Sequence, residues 1–126
     1  MEKPVVYIIE DNEIMADLVA SYVEDFSFPK IFHDAYAAIA EIENDKPELI
    51  FLDVLLTGPD GFTFLNEIVS YEDTSKIPVA IITSLDLEIN KLENYGVEKI
   101  FNKTTMKPAE IKEFAKNILE KKYAEQ

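Results

Sequence analysis

Cysteine is absent from the 126 residues, which excludes disulfides, thiolate metal sites and cysteine nucleophiles. Positive charge is scarce: 12 Lys and Arg stand against 25 Asp and Glu, for a formal net charge of −13. So acidic a surface repels phosphate backbones and anionic lipid, so this chain is not expected to bind nucleic acid or membrane directly. Long hydrophobic runs are missing too. Val5-Val6-Tyr7-Ile8-Ile9 falls far short of a bilayer span, and Met1-Glu2-Lys3-Pro4 lacks the apolar core of a secretory signal. The lack of cysteine fits a reducing compartment, and the expectation is a soluble cytoplasmic protein. The length suits one domain over 1–126, large enough to bury a core without staples.

What is present is an alternation of short apolar runs and amphipathic stretches. Residues 4–10 are apolar on consecutive positions, which predicts a strand covered on both faces. Residues 12–26 place Ile14, Leu18, Tyr22 and Phe26 four apart beside Met15, Val19 and Val23, which predicts one buried helical stripe. A weaker strand at 28–33 suits a sheet edge, with His33 at its end and no role assigned to it. An Ala-rich helix follows over 35–44. Glu48 to Asp53 reads as a second fully buried strand ending in an acid, and Gly58-Pro59-Asp60-Gly61 as a turn. Phe62 to about Tyr71 predicts a helix with Phe64, Leu65, Ile68 and Val69 inward. Pro78 to Thr83 predicts another buried strand. Asp86 is expected to cap a short helix ending near Gly96. Val97 to Asn102 predicts a last strand, and Pro108 opens a final helix carrying Ile111, Phe114, Ile118 and Leu119. Glu120 to Gln126 are polar and expected to fray. Five βα units in succession imply an open, doubly wound parallel sheet with helices on both faces, a three-layer α/β fold.

In such a sheet, ligands bind beyond the carboxyl ends of the strands. The polar residues expected there are Glu10, Asp11, Asp53, Thr83, Ser84 and Lys103. Three carboxylates in one crevice repel one another unless a cation lies between them. Oxygen-only ligands favour a hard ion, and Mg²⁺ accepts one or two carboxylates plus water and a phosphate oxygen. A metal-held carboxylate stays ionised and competent as a nucleophile toward phosphorus, while a Lys ammonium and a Thr hydroxyl can hold phosphoryl oxygens.

These segments resemble the response-regulator receiver domains along essentially the whole chain. Ile8-Ile9-Glu10-Asp11-Asn12 is similar to that family's acidic pair, and Asp53 to Gly61 to its phosphoacceptor strand and loop. Ile81-Ile82-Thr83-Ser84 is similar to the hydroxyl-bearing strand, and Gly96 to Lys103 to the strand ending in a lysine. The resemblance implies a flavodoxin-like sheet of order 2-1-3-4-5. It implies a phosphorylation-dependent signalling switch that is not an enzyme beyond its own phosphorylation and slow dephosphorylation. Asp53 would be the phosphoacceptor, assisted by Lys103 and Thr83. Mg²⁺ would be bound by Asp11, Asp53 and the Leu55 carbonyl, with Glu10 acting through a metal-bound water. The implied donor is a histidine kinase or phosphotransfer protein, and the implied output surface covers roughly 86–122.

Three positions depart from the family pattern. Thr104 follows Lys103 where proline is usual, Thr57 replaces another common proline, and Ile100 occupies an aromatic position while Phe101 faces the other way. Lys107, before Pro108, is read as flanking the helix. Two other readings remain beside the switch: a pseudo-receiver that binds partners without phosphorylation, and an Asp-nucleophile phosphatase. The second would need an acid two residues after Asp53, where Leu55 stands.

Overall fold

A strand that is apolar on every position can only be satisfied between two layers, and the sheet is built on that rule. The computed structural model describes residues 3–56 and 61–124. Five parallel strands, β1 (Val5–Ile9), β2 (Phe28–Phe32), β3 (Leu49–Leu52), β4 (Val79–Thr83) and β5 (Val97–Asn102), lie in the order β2-β1-β3-β4-β5. This is the flavodoxin-like order that the family resemblance implied. Helices α1 (Glu13–Val23), α2 (Ala35–Ile42), α3 (Gly61–Val69) and α4 (Pro108–Ala124) cover the two faces. Among the described residues no helix is long and apolar enough to cross a membrane.

Side-chain parity sorts the strand residues into two cores. Tyr7, Ile9, Ile50, Leu52, Val79 and Ile81 pack with α2 and α3. Their neighbours Val6, Ile8, Leu49, Phe51, Ala80 and Ile82 pack with α1 and α4. A register shift between Val79 and Ala80 breaks the β4–β5 ladder near its start. Beyond it Ile100 and Phe101 point to opposite layers, as the sequence predicts. The edge strand β2 is half-buried, and Pro29 within it removes a backbone donor.

Two expectations fail in instructive places. Ile14 is 81% exposed and Leu18 is also exposed, so they do not belong to the buried stripe of α1. That stripe is Ala16, Val19, Ala20 and Val23, flanked by Met15, Tyr22 and Phe26. A step of four residues turns about 400° on an α-helix, so an i, i+4 series walks round the cylinder and Ile14 ends opposite Val23. The two alanines leave room for a close approach of α1 to the sheet.

The expected helix after Asp86 is also absent. Two 3₁₀ turns, Ile89–Lys91 and Glu93–Tyr95, stand there instead, and the first is preceded by Glu88 with no side-chain cap. Among the described side chains of these turns and the neighbouring leucines, Leu92 alone is buried, too little apolar surface to hold a longer helix against the sheet. The chain leaves the turns through Gly96 at φ 76°, a left-handed conformation that suits glycine. The last helix continues through Glu120 to Ala124, so the described part of the polar tail is helical. Thr57 and the turn residues Gly58, Pro59 and Asp60 lie outside the described residues.

Candidate functional site

Parallel strands all present their carboxyl ends to one rim, and there the acids meet. Glu10 directly follows β1, Asp53 directly follows β3, and both are buried, 3% and 4% exposed. Asp11 completes the group: carboxylate oxygens of Glu10, Asp11 and Asp53 all lie within 4.8 Å of one another. The backbone holds the first two in place, for Glu10 N donates to Phe32 O and Asp53 N to Ile9 O, both ladder-like continuations.

Lys103 enters from the end of β5. Its Nζ lies 2.7 Å from Asp53 Oδ2 and 2.5 Å from Glu10 Oε1, and its N–H donates to the carbonyl of Thr83. Burial pulls the ammonium pKa down, but the bonds to Asp53 and Glu10 outweigh it and leave it above the usual lysine value. Burial pushes the Glu10 carboxyl up to about 7, opposed by the hydrogen bond from Lys103 and reinforced by the charge of Asp53. When all the acids are ionised, three carboxylates crowd one rim, and Lys103 pairs with two of them, Glu10 and Asp53. So close a set of carboxylates, oxygen-only and mostly buried, suits a hard divalent cation.

The surrounding residues divide the work. Asn12, not Asp11, caps α1: its side chain accepts from Met15 N at 2.9 Å, while Asp11 is a member of the acid group. Asp53 Oδ1 accepts from Leu55 N at 2.9 Å, so the residue expected to offer a carbonyl also orients the carboxylate. Thr83 is fully buried at the end of β4, opposite Asn102, and its hydroxyl accepts from Leu85 N at 3.3 Å. Ser84 is exposed, and no helix follows for it to cap. Leu55 and Leu85 are apolar and exposed at this rim. Gly61 begins α3 against the Asp53 backbone, where an added Cβ would stand 2.5 Å from Val54 Cα and 2.8 Å from Asp53 O. A side chain there would push on the strand end that carries Asp53.

Sequence reasoning missed two neighbours. His33 Nδ1 lies 3.0 Å from the carbonyl of Glu10. The β1–β2 register, with Ile9 opposite Phe32, places the residues after each strand side by side and is the signal that finds it. The second is Asn102, whose side chain accepts from both the N–H and the hydroxyl of Thr104.

A family model described as the response regulator receiver domain matches residues 6–118. Regulatory protein VanRc of Enterococcus gallinarum is 32% identical over 88 residues, 69% of this chain and 37% of that protein. The chain therefore spans little more than a third of that relative. A signal receiver domain from Vibrio parahaemolyticus superposes with a TM-score of 0.83 at 28% identity, covering 98% of this chain and 95% of the other. The Mn(2+)-bound form of response regulator Rcp1 shares the fold, with a TM-score of 0.71 at 24% identity over 86% of this chain and 89% of that one.

Proposed function

Because the chain belongs to the response regulator receiver domain family, we propose that it is a phosphorylation-dependent switch whose phosphoacceptor is Asp53. The observation that carries this reading is the contact of Lys103 Nζ with Asp53 inside the group of three acids. Neither the ammonium nor the third acid is needed to end a strand, and crowding three carboxylates at a rim where Glu10 and Asp53 are buried is costly unless a function uses them.

Asp11, Asp53 and the Leu55 carbonyl would hold Mg²⁺, with Glu10 at one remove. Bound there, the cation would neutralise charge on phosphoryl oxygens. Rcp1, which shares the fold, has an Mn(2+)-bound form, and this supports reading the acid group here as a cation site. An oxygen of the Asp53 carboxylate forms the bond to phosphorus as the donor's leaving group departs, giving an acyl phosphate. Lys103 stands beside that carboxylate and can take a phosphoryl oxygen in exchange for its present ion pair. Thr83 supplies a hydroxyl to the same rim. Phosphoryl transfer asks little more of a protein than positioning and charge.

The donor would be a histidine kinase or phosphotransfer protein. The exposed Ile14 in the first turn of α1, with Leu55 and Leu85 after β3 and β4, offers apolar surface at this end of the sheet on which such a partner can bury area. The output surface would be residues 86–122, which include the 3₁₀ turns, β5 and most of α4.

Intact-mass measurement after treatment with acetyl phosphate and Mg²⁺ tests the central step. The wild-type chain gains one phosphoryl group and Asp53→Ala gains none. An unlabelled wild-type chain would leave the pseudo-receiver reading, in which partners bind without phosphorylation. Equal labelling of Asp53→Ala would place the acceptor elsewhere.

A further inference from the structure

A lysine side chain has four rotatable bonds, so aiming its ammonium between two carboxylates requires a firm hold on the backbone. One side of that hold is Lys103 N donating to Thr83 O at 2.9 Å. The other is the turn that follows. Thr104 keeps a backbone N–H that a proline would lack, and the Asn102 side-chain carbonyl accepts it at 2.8 Å. The same oxygen accepts the Thr104 hydroxyl at 2.5 Å. The Asn102 backbone carbonyl accepts from Thr105 N at 3.2 Å and from Met106 N at 2.8 Å. One residue thus receives every hydrogen bond described for the turn, in the manner of an Asx-turn, in which a side chain imitates a backbone turn. Every described peptide bond is trans.

We propose that Asn102 is a positioning residue for Lys103, closing the turn whose geometry holds the ammonium between Glu10 and Asp53. Asn102 itself does not touch either acid in any contact described above; it acts through the loop. The proposal rests on the phosphoacceptor reading of Asp53, and it assigns to a side-chain hydrogen bond the turn that a ring would otherwise set.

The test uses two readouts that a merely weakened fold moves together and a misplaced ammonium moves apart. An ammonium held among the acids repels a divalent cation, so freeing it strengthens Mg²⁺ binding while it slows phosphorylation. Asn102→Ala is expected to label with acetyl phosphate roughly 10- to 100-fold more slowly, the scale of a small misplacement of a reacting group. Calorimetric titration should show the same variant binding Mg²⁺ about threefold tighter or more. Lys103→Ala should move both readouts in the same directions and further. Asn102→Ser, whose hydroxyl forms the same kind of turn more weakly, should recover part of the labelling rate. Labelling of Asn102→Ala at the wild-type rate overturns the proposal, as does Mg²⁺ affinity that is unchanged or weaker. A wild-type chain that takes no phosphoryl group sinks the phosphoacceptor reading instead, and the Mg²⁺ comparison still decides the role of Asn102.

Discussion

Leu55 serves the site twice, through a backbone N–H that orients Asp53 and through an apolar side chain exposed beside it. With Leu85 across the rim, it places hydrocarbon where an attacking water would have to be held and oriented. Leu55→Asn replaces that hydrocarbon with a group that can bind water while leaving the backbone donor in place. Loss of the phosphoryl group from the variant, followed by mass after removal of acetyl phosphate, should be several-fold faster than from wild type. Equal or slower loss would refute this role for the leucine. At the same scale the sequence made Asp53 legible, because an acid following Leu-Ile-Phe-Leu has no structural motive. It left Asp11 and Asn12 ambiguous, since either can cap a helix. The hydrogen bond from Met15 N to Asn12 resolves that ambiguity.

Elements were legible where their period is unambiguous. Strand parity is exact, two residues per repeat, so a run that is apolar throughout must be covered on both sides, and β1, β3 and β4 are. Helix rotation is less well determined by a list of apolar residues. On α1 the buried stripe is half alanine, and the larger Ile14 and Leu18 face solvent. Ile14→Ser should therefore change unfolding free energy by no more than about 0.5 kcal/mol, as at an ordinary surface position. Val19→Ala, which opens a space between α1 and the sheet, should cost about 2 kcal/mol. Urea denaturation of both variants checks the rotation, and equal costs would mean that α1 presents a different face. The segment between β4 and β5 shows the opposite error. Asp86 is a good cap, but capping contributes only about 1 kcal/mol and does not replace the apolar face that a helix there would need.

For the whole molecule, charge links the site to stability. The net charge is −13, and the Glu10, Asp11 and Asp53 group concentrates repulsion at one rim. Glu10 has a folded-state pKa of about 7 against 4.5 ordinarily, so folding favours its protonated form. The contribution is fully present below pH 4.5 and is lost as pH rises through about 7. Lys103, raised from its usual value, holds its contribution at all pH below that value and does not alter this window. A divalent cation competes with the proton at Glu10, so Mg²⁺ should stabilise the chain increasingly across the same interval. Thermal unfolding by circular dichroism between pH 5 and 8, with and without Mg²⁺, checks the sign. Glu10→Gln should flatten the dependence, and a Mg²⁺-induced shift in Tm that is constant with pH would disprove the linkage.

The order of apolar runs, the acids and the lysine at their ends, and the two-faced burial of the central strands were all determined by the sequence alone. Each follows from a period or a terminus within a few residues of chain. The rotation of α1, the choice of Asn12 over Asp11 as cap, the 3₁₀ turns in place of a helix, and the Asn102 turn behind Lys103 were decided only by tertiary structure. Local propensity there is nearly balanced, so packing against another layer, or a short-range side-chain hydrogen bond such as those of Asn12 and Asn102, selects the outcome.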